Sequence, residues 1–189
     1  DIMRGVCSAL SYAHQKGMVH RDVTPGNVLF TPDGHVVLAD FGIAKLIGGT
    51  RLTQTGTTSG TPVYMAPEQG IGESADTRAD VYSVGVILFE MLTGKPPYDG
   101  DSAYAILMKH VSAPVPSLLE KAPDLPPALE LVVRRALEKE PERRYPTIDM
   151  LFAELERAVG ATRPGGGSME TTRLPLLTAD LVPPSRRRA

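Results

Sequence analysis

The chain has 189 residues, 42% of them hydrophobic, and a formal net charge of −2 with a pI near 6.1. That suffices for one domain with a sizeable core and is cramped for two, and the near-neutral balance excludes the broad basic surface that nucleic-acid binding requires. Cys7 is the sole cysteine, which excludes an intramolecular disulfide and fits a reducing, cytoplasmic setting, with a buried structural thiol as the default reading.

In chain order, residues 1 to 16 set Ile2, Val6, Leu10 and Ala13 at three- and four-residue steps, so an amphipathic helix is expected with these on its inner face and Gly17 as its stop. The chain opens on Asp1 directly in that helical pattern, which is expected of a sequence that starts inside a larger protein. "HRDVTPGN" (residues 20 to 27) then leads into "VLF" and "HVVLAD", two short strands joined by the turn residues Pro32, Asp33 and Gly34. From Gly48 to Gly60 the chain is rich in Thr, Gly and Ser with almost no large apolar residue, a long loop that something else must pin.

"ADVYSVGVILFEMLTG" is apolar nearly all round, the pattern of a helix surrounded by protein, with Gly94, Pro96 and Pro97 to end it. It contains the longest apolar stretch, which is too short to span a bilayer and is interrupted by Glu90. Further helices are expected near 101 to 111, 126 to 139 (Pro126 and Pro127 at the start) and 147 to 159. From Arg163 onward the composition turns to Pro, Gly and polar residues, so residues 1 to 160 are assigned to one domain and 161 to 189 to a flexible linker or tail. The basic run Arg186 to Arg188 reads as a solvated end or as a contact for anionic lipid or a partner.

Chemistry concentrates at the hairpin. Asp22 and Asn27 lie five apart in a loop that Pro25 and Gly26 force to turn, so their polar tips can converge. "DFG", Asp40 to Gly42, follows the second strand. Asn27 and Asp40 offer hard oxygen ligands of the kind Mg²⁺ takes alongside water and phosphate, and Asp22 is left to orient a nucleophile. Phosphoryl transfer needs little more from one side of a cleft, because its transition state is stabilised by positioning and charge. His14 and His110 lack a Cys or His at ligand spacing and are read as surface or helix-packing residues.

"HRDVTPGN", "DFG", "GTPVYMAPEQ" and "DVYSVGVILFEMLTGKPPY" stand in the order and spacing of the protein-kinase signature set. Over about residues 1 to 159 the sequence resembles the C-terminal lobe of a eukaryotic-like (Hanks-type) Ser/Thr protein kinase of the bacterial branch. The resemblance implies a mainly α fold: a helical bundle around a buried central helix, with a small β-hairpin carrying the catalytic and DFG loops. It implies ATP and Mg²⁺ as cofactors and proteins with Ser or Thr hydroxyls as substrates. Asp22 would orient the acceptor hydroxyl, Asn27 and Asp40 would hold Mg²⁺ on the phosphates, and Leu29 would floor the adenine. Arg21, helped by Lys45, would pair with a phosphorylated loop residue, with Thr53 and Thr55 of "LTQTGTTSGT" as the phosphorylation sites. Thr61 would support Ser/Thr acceptors, Glu68 and Arg144 would form a buried ion pair, and Asp80 would hold the catalytic loop.

Two departures bear on activity. The family usually has lysine where Thr24 stands, so one positively charged donor to the transferring phosphate is lost, an effect typically worth about 10²- to 10³-fold in rate. No G-x-G-x-x-G occurs, and nineteen residues before His20 are too few for the rest of an ATP site, the N-lobe of its own parent chain. The expectation is therefore a kinase fragment that is inactive or very weak as this chain. The alternative is a pseudokinase or C-lobe scaffold that binds substrates or partners without catalysis. An unrelated helical interaction module requires the motif spacing to be coincidence. A membrane-spanning anchor downstream of residue 189, tethering a cytoplasmic kinase, is a further expectation.

Overall fold

A computed structural model describes residues 1–41 and 62–160. The first helix, α1, runs Ile2–Gln15 and buries Met3, Val6, Cys7, Leu10, Ser11 and Ala13. Ile2, expected on the inner face, is instead 42% exposed. As the first helical residue it lies at the outer edge of the contact, and Met3 opens the inward stripe. Gly17 takes φ 73 and closes a Schellman motif: Met18 N–H donates to the Ala13 carbonyl (3.0 Å) and Gly17 N–H to that of His14 (2.9 Å).

Strands β1 (Val28–Phe30) and β2 (Val36–Leu38) pair antiparallel with Val28 opposite Leu38, Leu29 opposite Val37 and Phe30 opposite Val36. The turn between them is closed by Gly34 N–H on the Thr31 carbonyl at 2.8 Å, with Gly34 at φ 83. The hairpin lies on α1 through β2. A Cβ at Gly5 would sit 2.5 Å from the Val36 Cβ, so glycine is what admits that approach.

The central helix, named α3 because the short α2 (Pro67–Gly70) precedes it, spans Thr77–Thr93. Asp76 caps it, its carboxylate accepting from Arg78 N–H at 2.8 Å, and Gly94 ends it at φ 78. Every residue from Ala79 to Phe89 is buried, as an all-round apolar sequence demands. Then come α4 (Ala103–Ser112), the one-turn α5 (Leu118–Lys121), α6 (Pro127–Ala136) and α7 (Ile148–Gly160). Helix α6 stops short of the expected 139: beyond Ala136 the carbonyls of Glu138 (2.8 Å) and Lys139 (2.9 Å) accept from the Arg144 guanidinium instead of from helix N–H groups. Gly85 lets α6 come close, since a Cβ there would be 2.8 Å from that of Ala136.

One core joins α1, α3, α6 and α7 with β2, and the described residues are mostly helical with a two-stranded sheet at one end. No helix among them is long and apolar enough to cross a membrane. The polar loop from Gly48 to Gly60 and the expected tail from 161 to 189 lie outside the described residues.

Candidate active site

The segment between α1 and β1 is held by its backbone. Asp80, fully buried on the first turn of α3, accepts from His20 N–H through Oδ2 and from Arg21 N–H through Oδ1, each at 2.8 Å. A third donor reaches the same carboxylate: His14 Nε2 lies 2.8 Å from Oδ2. His14 was expected to pack or face solvent, and the partner that gives it a role is 66 residues away, beyond any local pattern. Two backbone N–H groups and an imidazole satisfy a charge whose burial would otherwise be costly.

His20 is itself buried and bridges the two chain segments of the site. Its Nε2 faces the Ala39 carbonyl at 3.0 Å, and a carbonyl only accepts, so Nε2 carries the proton. Nδ1 is then the acceptor for Asp22 N–H at 3.3 Å. The ring stacks at a tilt on Phe41, centroids 4.5 Å apart. Val23, fully buried, anchors the loop in the core between Asp22 and Thr24.

Pro25–Asn27 form a single 3-10 turn with Thr24 before it in extended backbone, φ −137 and ψ 158. That turn swings Asn27 back so that Nδ2 donates to the Asp22 carbonyl at 2.8 Å and lies 3.5 Å from Asp22 Oδ2. Ala39 N–H donates to the Asn27 carbonyl at 2.9 Å, one step beyond the Val28–Leu38 pair. The antiparallel ladder therefore gathers Asn27 and the start of "DFG" at one open end of the hairpin rather than at opposite ends. Asp40 follows there, exposed, in the left-handed region at φ 54, a conformation that aspartate tolerates better than most residues. Arg21 is also left-handed, at φ 64. Two such residues within one small loop cluster store strain where function is usually found.

Arg21 is half-buried, and among its guanidinium atoms one nitrogen makes a long contact to the Ala75 carbonyl (3.4 Å) while Nε is buried with no partner among the described residues. Leu29 (50% exposed) and its cross-strand partner Val37 (45%) lie on the hairpin's open face, and Phe30, beside Val36 on the other face, is 58% exposed. Glu68 on α2 and Arg144 meet in a buried bidentate pair at 2.7 and 2.8 Å. Arg144 further donates to the Arg78 carbonyl at 3.1 Å and its guanidinium lies 4.9 Å from the Tyr82 ring centre. Gly42, Lys45, Thr53, Thr55 and Thr61 lie outside the described residues.

Sequence reading passed over Gln69, Ser83 and Tyr64. Ser83 Oγ donates to the Tyr64 carbonyl (2.7 Å) and Tyr64 OH to Glu90 (2.6 Å), so the Pro62–Tyr64 turn is fastened to α3. Gln69 joins α2 to the loop between α1 and β1, its Nε2 donating to the Arg21 carbonyl at 2.9 Å. The signal of Tyr64 and Gln69 was hidden in "GTPVYMAPEQ", where the polar residues fall on no helical or strand period, and Ser83 was hidden in the apolar run of the central helix.

The central helix thus anchors a carboxylate-bearing loop beside the Asp-bearing end of the hairpin. The protein kinase domain family matches residues 1–154, and the chain belongs to that family. It is 42% identical over 165 residues to the probable serine/threonine-protein kinase PknB of Lactococcus lactis, covering 87% of this chain and 26% of that protein. Serine/threonine-protein kinase PknA of Mycobacterium tuberculosis is 45% identical over 163 residues, 86% of this chain and 37% of that protein. PrkC of Bacillus subtilis is 39% identical over 163 residues, 86% and 25% respectively. The chain thus spans between about a quarter and somewhat over a third of the length of these bacterial relatives.

Proposed function

We propose that this chain is the C-terminal lobe of a Ser/Thr protein kinase, transferring the γ-phosphate of Mg·ATP to protein hydroxyls when completed by the opposite wall of the cleft. The observation that carries this is the gathering of Asp22, Asn27 and the Ala39–Asp40 segment at one hairpin end, on a loop whose peptides hang from buried Asp80.

The donor set fits the cofactor. Asn27 spends its Nδ2 on Asp22, leaving the amide oxygen, and with the Asp40 carboxylate it provides the hard oxygens that Mg²⁺ takes beside phosphate and water. Bound there, Mg·ATP supplies the phosphoryl group and the cation that offsets its charge. Asp22 orients the acceptor hydroxyl and takes its proton. Thr24, where the family usually carries lysine, gives a hydroxyl donor without charge and slows the transfer rather than abolishing it. Leu29 floors the adenine, and the second lobe covers the apolar face formed by Leu29 and its cross-strand partner Val37, which alone would face water.

The Nε of Arg21, buried with no partner among the described residues, supports its pairing, with help from Lys45, to phosphate on Thr53 or Thr55; a buried cation nitrogen without a partner costs free energy that a phosphate recovers. Thr61 serves acceptor choice. Residues 1 to 160 form the lobe and 161 to 189 a linker leading to a membrane anchor in a cytoplasmically oriented protein.

The test is phosphotransfer from labelled ATP by the full-length protein that carries this chain. Asp22→Asn is expected to lower turnover by about 10³-fold or more while leaving ATP affinity within a few-fold. Turnover that survives the substitution would remove Asp22 from its role, and a wild-type protein with no turnover would favour a pseudokinase scaffold.

A further inference from the structure

Gln69 is the third residue of α2, a helix too short to be stable by itself. The neighbouring Glu68 ties that helix to the core through Arg144, and Gln69 points the other way, into the catalytic loop. Its carboxamide is used at both ends. The oxygen accepts from Ala66 N–H at 3.2 Å, satisfying one of the open donors at the start of α2, and the nitrogen donates to the Arg21 carbonyl at 2.9 Å. The partners fix which end is which: an N–H demands the oxygen and a carbonyl demands the NH₂.

That carbonyl belongs to the peptide linking Arg21 to Asp22. The other side of the same peptide, Asp22 N–H, rests on His20 Nδ1. The peptide before it is held by Arg21 N–H on Asp80. Arg21 sits between these holds at φ 64, a conformation a non-glycine residue keeps only when its surroundings over-determine it. Asp80 and His20 hold the N–H groups, and Gln69 holds the carbonyl.

We propose that Gln69 is a positioning residue of the phosphotransfer site, its carboxamide fixing the plane of the Arg21–Asp22 peptide and thereby the aim of the Asp22 carboxylate. The proposal rests on the function proposed above. It makes the end of the loop preceding α2 and the catalytic loop one mechanical unit: displacement of α2 withdraws the donor and frees Asp22 to turn. Only a side chain that accepts and donates within one planar group serves both contacts.

Two substitutions separate positioning from mere capping. Gln69→Glu keeps an acceptor for Ala66 N–H and loses the donor to Arg21; Gln69→Met loses both at similar volume. In the full-length protein, Gln69→Glu is expected to lower kcat about tenfold, with KM for ATP and the melting temperature near wild type. In the 189-residue chain the same change is expected to speed hydrogen exchange at the Arg21 and Asp22 amides, a readout that needs no turnover. If Gln69→Glu matches wild type in kcat while Gln69→Met alone loses activity and melting temperature together, Gln69 is a helix cap and the proposal fails. Unchanged exchange at Arg21 and Asp22 overturns it as well. A wild-type protein that transfers no phosphate defeats the functional reading instead, and the exchange measurement then decides the clamp separately.

Discussion

Asp80 and His110 show how differently two buried titratable residues are handled. Asp80 keeps its charge company with two N–H donors and His14, and with them it builds the loop. His110, on α4, is fully buried beneath Tyr82 OH (2.9 Å from Nδ1) and edge-on to the Tyr98 ring. Lys139 caps the cluster, donating to Tyr98 OH at 2.8 Å and the His110 carbonyl at 2.7 Å. Burial, then the Lys139 charge, pushes the His110 imidazole down to about 4. Burial likewise lowers Lys139 to about 8, with Arg144 adding to it. Between pH 6.5 and 4 the unfolded chain binds a proton at His110 that the folded chain refuses. Stability therefore falls as pH drops through that window and levels out below it, by an amount on the order of 3 kcal/mol. Urea midpoints at pH 7 and 4.5 are expected to show a smaller loss in His110→Gln, which keeps a partner for Tyr82 and does not titrate. An equal loss in the variant would take His110 out of the acid response.

At the scale of elements, α2 is the weak member, one turn of helix that carries both Glu68 and Gln69. Its place depends on the Glu68–Arg144 pair, because Arg144 reaches across to Arg78, Glu138 and Lys139 as well. Glu68→Ala leaves that guanidinium buried without its carboxylate, and a loss of about 3 to 5 kcal/mol in urea unfolding is expected. A loss under about 1 kcal/mol would mean that solvent or another acceptor takes over. The central helix needs no such tether, since its whole circumference from Ala79 to Phe89 is buried and both ends are capped. Cys7, buried on the inner face of α1, has its thiol pushed up by burial to about 12, which disfavours the thiolate that redox and nucleophilic chemistry require.

At the scale of the whole molecule, the hairpin is the surface that asks for a partner. One side of β2 rests on α1, while Leu29, Phe30 and Val37 are each close to half exposed or more. A nucleotide set on that surface touches one wall, and ligand sites generally bury most of the ligand. The 189-residue chain by itself is therefore expected to bind Mg·ATP only weakly and to have negligible kinase activity. Calorimetry giving a micromolar dissociation constant for the isolated chain would show that one wall is enough.

The order helix, hairpin, helices was legible because each element carries its own period or its own punctuation. Gly17, Gly34 and Gly94 stand where positive φ is needed, and Asp76, Ser102 and Ser117 stand where helices begin. Asp22, Asn27 and Asp40 were singled out for a different reason, as a motif set in register rather than as a consequence of periodicity, and the fold brings Asn27 to Asp22 and to Ala39, next to Asp40. What sequence could not supply was partnership over distance. His14 to Asp80 spans 66 positions and Gln69 to Arg21 spans 48, and no local pattern encodes which polar groups meet; the Glu68–Arg144 pair, 76 apart, was expected through the family resemblance and not from any local pattern. The exposure of Ile2 and the early end of α6 were decided in the same way, by what packs or bonds from elsewhere in the chain. Local propensity and burial are properties of a segment; the satisfaction of a buried polar group is a property of the folded whole.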